Sequence, residues 1–365
     1  MRSVLLTVFL FFSTGLCAFH PTIPVLNLPD YYDESKKEAF LEKLEEALKE
    51  VGFFALTGSG VAPEILDRVY AQSERFFSHD TDTKLLLSEK DGCRGYVLSV
   101  SPKGEETIDY KEYFQCGRDF SEKKLKRFGY KRNLWPEGMQ EFRLAFGNLF
   151  SALDKCKTVI GSAFEEIIGL KKNRINKMIR KGDAILSARH YFPNPPPNAT
   201  WAEEHTDNCL FTILVRPTGP GLQVLNKNGE WIDVLVPDGA FVVNSGDKME
   251  NLTNGYFRSS FHRVIDHGIR TDRTSLVFFV HPRHEDRLDP FPSCIAKTGG
   301  IRKYPNVTSL ELIAQSIIEF DQASPDLMEF FVESGAIERL EEVGRFSPKA
   351  KEILIREGLL LRKKL

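Results

Sequence analysis

His205 and Asp207 stand two residues apart in Glu204-His205-Thr206-Asp207, and a further histidine, His262, follows after a series of short apolar runs and turns. Alternate residues of a strand project to one side, so His205 and Asp207 can reach a common point from one strand end. His262 joins them if the intervening segments fold back and forth as strands. Two imidazoles and a carboxylate can occupy one face of an octahedral Fe(II), leaving the opposite face for an organic ligand and dioxygen. The pattern therefore reads as a metal site on a strand scaffold. Taken singly, each residue has a plainer reading, because a lone histidine beside an apolar strand is more often packed core than ligand. It is the agreement of order, spacing and flanking runs that carries the metal.

A second group lies just beyond, in Asp272-Arg273-Thr274-Ser275. The planar fork of Arg273 fits a carboxylate with two parallel bonds, and Ser275, on the same strand face, adds a hydroxyl donor. A dicarboxylic acid or an amino-acid carboxylate is the ligand this pair implies.

The surrounding pattern says what holds these residues. From residue 184 onward the chain reads as short strands: a buried run at 210–215, a hairpin with Asn228-Gly229 at its turn between 222–225 and 231–234, and further strands at 240–243 and 275–281. Strands of this kind predict a jelly roll with the metal at its mouth. Before them, apolar residues at helical spacing predict helices over 35–51, 63–77, where Pro63 suits a first turn, and 136–170. Phe142, Phe146, Phe150 and Phe164 in the long helix read as core. Helical patterns return at 310–320, 326–333 and 349–357, the last started by Ser347-Pro348. The expected fold class is α+β, with a double-stranded β-helix core, flanking helices and a helical N-terminal domain. The division expected is 22–140 for the N-terminal domain, 141–300 for the catalytic jelly roll with its leading helix, and 301–365 for a C-terminal helical extension.

Several longer stretches resemble a known family. Asn244-Ser245-Gly246-Asp247 through Leu252-Thr253-Asn254-Gly255, running into Arg258-Ser259-Ser260-Phe261-His262-Arg263-Val264, is similar to the isopenicillin N synthase-like family of Fe(II)/2-oxoglutarate dioxygenases. Gly221-Leu222-Gln223-Val224 with Gly229-Glu230-Trp231-Ile232 is similar too, as are Ile23-Pro24-Val25-Leu26, Glu50-Val51-Gly52-Phe53-Phe54-Ala55-Leu56 and Phe76-Phe77 in the N-terminal half. The likeness covers roughly residues 22 to 310. It implies His205, Asp207 and His262 as iron ligands, and Arg273 with Ser275 as the clamp on the distal carboxylate of 2-oxoglutarate. It implies an oxidoreductase that hydroxylates, desaturates or cyclises a small organic molecule, using Fe(II), 2-oxoglutarate and dioxygen and releasing succinate and CO2. Two alternatives are an isopenicillin N synthase-like oxidase that grips its substrate's own carboxylate without 2-oxoglutarate, and a jelly-roll binding protein without catalysis. The chain departs from the family at one place. Where an Asn-Tyr-Tyr-Pro segment is usual, its first and third positions contacting the 2-oxo acid, this chain has His190-Tyr191-Phe192-Pro193. Phe192 has no hydroxyl; His190 can still donate a bond, and Tyr191 can stand in for the lost hydroxyl if the register slips by one. His190 and Tyr191 are therefore carried as co-substrate contacts. The polar stretch 78–121 is expected to supply part of the active-site rim, with substrate contacts in 94–114.

Composition sets the remaining bounds. The formal net charge of −2 spreads over the chain without long blocks, and neither a basic excess nor an aromatic-basic platform points to nucleic acid. The expected partner is a small molecule, and the expected state a monomer. Met1-Arg2, an apolar stretch and Ser13-Thr14-Gly15-Leu16-Cys17-Ala18 have the regions of a secretory signal peptide, too short to span a membrane. Entry to the secretory or export route is one expectation from this and a cytoplasmic enzyme the other, since Fe(II) and 2-oxoglutarate are supplied inside cells. Scattered cysteines without a disulfide-scaffold spacing agree with the latter.

Overall fold

The computed structural model describes residues 22–89, 92–99, 108–197, 199–268 and 271–360. The signal-peptide-like segment lies outside them. In chain order the strands are β1 (Val25–Asn27), β2 (Phe53–Thr57), β3 (Gly95–Ser99), β4 (Ile108–Asp109), β5 (Lys111–Gly117), β6 (Ile185–Tyr191) and β7 (Ala199–Thr200). They continue with β8 (Ala202–His205), β9 (Phe211–Val215), β10 (Leu222–Leu225), β11 (Trp231–Asp233), β12 (Phe241–Ser245), β13 (His262–Val264) and β14 (Arg273–Val280).

Two sheets face each other. The large one has the order β1-β2-β12-β9-β14-β6-β5-β3, and the small one β11-β10-β13-β8. Strand β14 shows how the sequence builds both sides of the large sheet. Leu276, Phe278 and Val280 are buried on its outer face, where Phe278 meets Phe150 of helix Gln140–Ile167 at 5.1 Å between ring centroids. The alternate residues Arg273, Ser275, Val277 and Phe279 turn inward and line a cavity between the sheets. One strand thus reads apolar outward against a helix and mixed inward around a site. Phe53, Trp201, Leu222, Val224, Val242 and Val264 pack between the sheets as a second, smaller core. The jelly roll predicted from the strand pattern is the observed architecture.

The long helix packs under the large sheet through the aromatic positions expected to be core. Phe142 and Phe146 are fully buried and stacked at 4.4 Å, with Phe114 and Phe76 against them. Truncating such a ring to alanine costs roughly 3–5 kcal/mol. The 222–234 hairpin forms as expected, with Val224 opposite Ile232 and Gly229 at φ 79°, a conformation that favours glycine in the turn. Helices Lys37–Glu50 and Pro63–Phe77 match their predicted spans closely.

The described residues of the 78–121 stretch include two strands not singled out from the sequence: β3 and β5 pair with each other, and β5 pairs with β6 of the large sheet. Tyr96 and Phe114 are fully buried, and Arg94, 1% exposed, is held by Asp183 at 2.5 Å. Its polar residues hid the strands because a half-buried strand shows only alternate apolar positions. The C-terminal region, beyond the resemblance, packs onto the same core through Ile318, Phe331 and Leu354. Helix Ser309–Glu319 opens with a capping box between Thr308 and Glu311 and receives the side-chain amide of Asn208, the residue after Asp207.

Candidate active site

His205 ends β8 and His262 opens β13, and the two lie opposite each other in the antiparallel ladder. Their rings are 4.3 Å apart. Asp207 follows in the loop to β9, with its Oδ1 3.9 Å from Nε2 of His205 and 3.7 Å from Nε2 of His262. One ligand atom from each residue falls within 4.8 Å of the others, the sole such cluster of histidine, cysteine and acidic groups among the described residues. The backbone decides which atoms face the centre. His205 Nδ1 donates to the Glu203 carbonyl at 2.7 Å and His262 Nδ1 to the Ser260 carbonyl at 3.1 Å, so each Nε2 keeps a free lone pair. Asp207 Oδ2 accepts from Thr212 Oγ1 at 2.6 Å and Asn244 Nδ2 at 2.8 Å, so Oδ1 is left for a metal.

Electrostatics prepares the same state. Burial would raise the Asp207 carboxyl, but the two imidazoles and the Asn244 and Thr212 bonds outweigh it and hold it at about 2. Desolvation in the pocket, with His262 facing it, presses the His205 imidazole down to about 3. An ionised Asp207 carboxylate beside a His205 imidazole held neutral suits metal binding, which needs both deprotonated. Behind the loop, a Cβ on Gly246 would sit 2.5 Å from the carbonyl oxygens of Asp207 and Cys209. That close approach lets the Asp247 amide donate to the Asp207 carbonyl at 2.9 Å, fixing the loop.

Across the cavity stand Arg273 and Ser275. Arg273 is 2% exposed and its Nε donates to the Gly219 and Pro220 carbonyls at 3.0 and 2.9 Å. Its Nη1 is buried and has no hydrogen-bond partner. An orphaned donor on a buried guanidinium is costly unless a ligand answers it, and a carboxylate does so. Ser275, fully buried, reaches the Tyr191 hydroxyl at 3.4 Å, and Arg273 lies over the Tyr191 ring at 4.9 Å. The candidate metal ligands and the unanswered Arg273 donor thus line one cavity.

The register of β6 decides the His190-Tyr191-Phe192 departure. Arg189 and Tyr191 line the cavity; His190 does not, which corrects its expected role. Its ring faces the other side of the sheet, 2.7 Å from Glu112 and 3.0 Å from Asp272, stacked on Phe77. Phe192 packs on Tyr110. Tyr191 therefore supplies the pocket hydroxyl. Sequence reasoning missed Arg189 altogether, although period-two alternation back from Tyr191 and its pairing with Ser275 were available signals.

Residues 23–138 match the family described as non-haem dioxygenase in morphine synthesis N-terminal, and residues 182–282 match the 2OG-Fe(II) oxygenase superfamily. The 2-oxoglutarate-dependent dioxygenase citB of Monascus ruber is 30% identical over 288 residues, covering 73% of this chain and 87% of that protein. The chain belongs to the 2OG-Fe(II) oxygenase superfamily. Scopoletin 8-hydroxylase of Arabidopsis thaliana is 27% identical, over 74% of each chain. Among solved structures, a putative 2OG-Fe(II) oxygenase family protein from Caulobacter crescentus superposes with a TM-score of 0.74 at 25% identity, over 82% of this chain and all of that one. Full-length Neurospora crassa T7H in complex with alpha-KG gives 0.73 at 24% identity, over 81% and 95%, a likeness of fold. This 2OG-Fe(II) oxygenase is an oxidoreductase acting on a small organic molecule, and its cofactors are Fe(II), 2-oxoglutarate and dioxygen. That reading stands over the 2-oxoglutarate-independent oxidase and the non-catalytic binding protein. No helix among the described residues is long and apolar enough to cross a membrane.

Proposed function

We propose that His205, Asp207 and His262 bind the iron, that Arg273, Ser275 and Tyr191 hold the distal carboxylate of 2-oxoglutarate, and that the enzyme hydroxylates a C–H bond of its substrate. The observation that carries this reading is the shared cavity, in which an orphaned Arg273 donor faces a donor set of two imidazoles and a carboxylate. Hydroxylation is favoured over desaturation or ring closure by the hydroxylase relative. Iron held there would let dioxygen act as the oxidant, one oxygen atom going into the C–H bond and the other into the succinate that forms, with CO2, from 2-oxoglutarate.

The protein's own part is placement. Backbone carbonyls lock both histidine tautomers, and Thr212 with Asn244 fixes the carboxylate. Gly219 and Pro220 hold the Arg273 fork toward the cavity. The inner apolar faces, Leu214, Leu222 and Val277, keep water from the reacting centre. A monomer is the proposed working state. The test is release of succinate from 2-oxoglutarate under air with Fe(II), with oxygen added to a substrate and traced by heavy-isotope dioxygen. Succinate release with label in the product is expected. Substrate oxidation without 2-oxoglutarate consumption would overturn the assignment of Arg273.

A further inference from the structure

Arg189 is a cation that the metal and its co-substrate leave unanswered. It projects from β6 into the cavity between Ser275 of β14 and Tyr113 of β5, its pairing partners on either side. Its guanidinium lies 5.2 Å from the Phe279 ring and 5.8 Å from the Tyr113 ring. The buried Nε has no hydrogen-bond partner, and no carboxylate among the described residues forms an ion pair with Arg189. Nearby Lys111 is no free cation, because it pairs with Asp109. Among the described residues, Asp207 is the one acidic side chain in the lining.

Charge balance decides what Arg189 awaits. The charge of Fe(II) is met by Asp207 together with one carboxylate of 2-oxoglutarate, and the charge of Arg273 by the other carboxylate. Nothing remains for Arg189. Arg189 is half-buried, but its buried Nε without a partner is unfavourable, and ring faces offset only part of that cost. The surplus also shows on Tyr191, where burial would raise the phenol but Arg189, Arg273 and Lys111 bring it below its ordinary value.

We infer that Arg189 is a specificity-determining residue that receives the anionic group of the primary substrate, so that this enzyme selects an organic monoacid, with Tyr113 and Phe279 flanking the bound carboxylate. The inference rests on the 2-oxoglutarate-dependent reading and sharpens it.

The test offers hexanoic, octanoic, phenylacetic and cinnamic acids, each beside its primary amide, to the iron-loaded enzyme. Two readouts are followed: succinate release under air, and the anaerobic absorbance of the Fe(II) complex during titration with 2-oxoglutarate and then with each acid. At least one acid is expected to stimulate succinate release and perturb the absorbance, roughly tenfold or more effectively than its amide. In Arg189→Met that acid preference should disappear while the absorbance titration gives the wild-type affinity for 2-oxoglutarate. Amides acting as well as acids, or no acid acting at all, would overturn the proposal, and neither outcome needs a folded variant. Loss of 2-oxoglutarate affinity in Arg189→Met would overturn it differently, assigning Arg189 to the co-substrate. Absence of any 2-oxoglutarate-dependent absorbance in the wild type would instead defeat the parent reading.

Discussion

Asn244 of β12 donates its side-chain amide to Oδ2 of Asp207 at 2.8 Å, which leaves Oδ1 as the oxygen proposed for iron. Both groups are buried, so the bond is not replaced by water when it is lost. Asn244→Ala should therefore lower metal affinity about 10- to 100-fold, the range for partners that orient a ligand. Titration with Co(II) followed by absorbance reads it directly. An unchanged dissociation constant would show that Thr212 alone holds the carboxylate.

Arg273→Lys keeps the charge but loses the fork that Gly219 and Pro220 steady through Nε. The apparent Michaelis constant for 2-oxoglutarate should rise several-fold or more, since a charge-assisted bond contributes roughly 1.5–3 kcal/mol. Substrate affinity should move less. Steady-state kinetics with each reactant varied in turn separates the two.

The β6 register gives a paired prediction. Tyr191→Phe removes a hydroxyl within reach of Ser275 in the cavity and should raise the 2-oxoglutarate constant about 2- to 10-fold, as a neutral hydrogen bond of ~0.5–1.5 kcal/mol allows. Phe192→Tyr in the same background should not restore it, because Phe192 packs on Tyr110 outside the cavity. Recovery by Phe192→Tyr would mean that the register is shifted by one residue from that described.

These residues also show what the sequence made legible. That the triad, Arg273 and Ser275 meet in one cavity was readable, because strand alternation places such donors together. The jelly roll followed from its short apolar runs. The His190-Tyr191-Phe192 segment was not readable, because a one-residue slip exchanges the two faces of a strand and leaves the text unchanged. Arg189 was hidden for the same reason. Strands β3 and β5 were missed because Arg94, Glu112 and Lys111 are buried through ion pairs, which composition alone cannot distinguish from a solvated loop.

His190 has a structural effect of a definite sign. Burial disfavours its protonated form, yet the bonds to Glu112 and Asp272 prevail and raise its pKa above the ordinary value. A raised native value means stability that is complete below the unfolded histidine value of about 6.5 and is lost as pH rises through the native one. The melting temperature should fall across that window on the alkaline side. His190→Asn should flatten this dependence and leave 2-oxoglutarate affinity unchanged, as thermal melts in a pH series and kinetics would show. A steep loss of co-substrate affinity would return His190 to the pocket.

The central claim is that His205, Asp207 and His262 form the iron site of a 2-oxoglutarate-dependent oxygenase. It is tested most directly by titrating wild type and Asp207→Ala with Fe(II) without air, then admitting air with 2-oxoglutarate and counting succinate. The wild type should bind one iron per chain and release succinate, whereas Asp207→Ala should remain folded by circular dichroism, bind iron weakly and release none. Full succinate release by Asp207→Ala with stoichiometric iron would contradict the account.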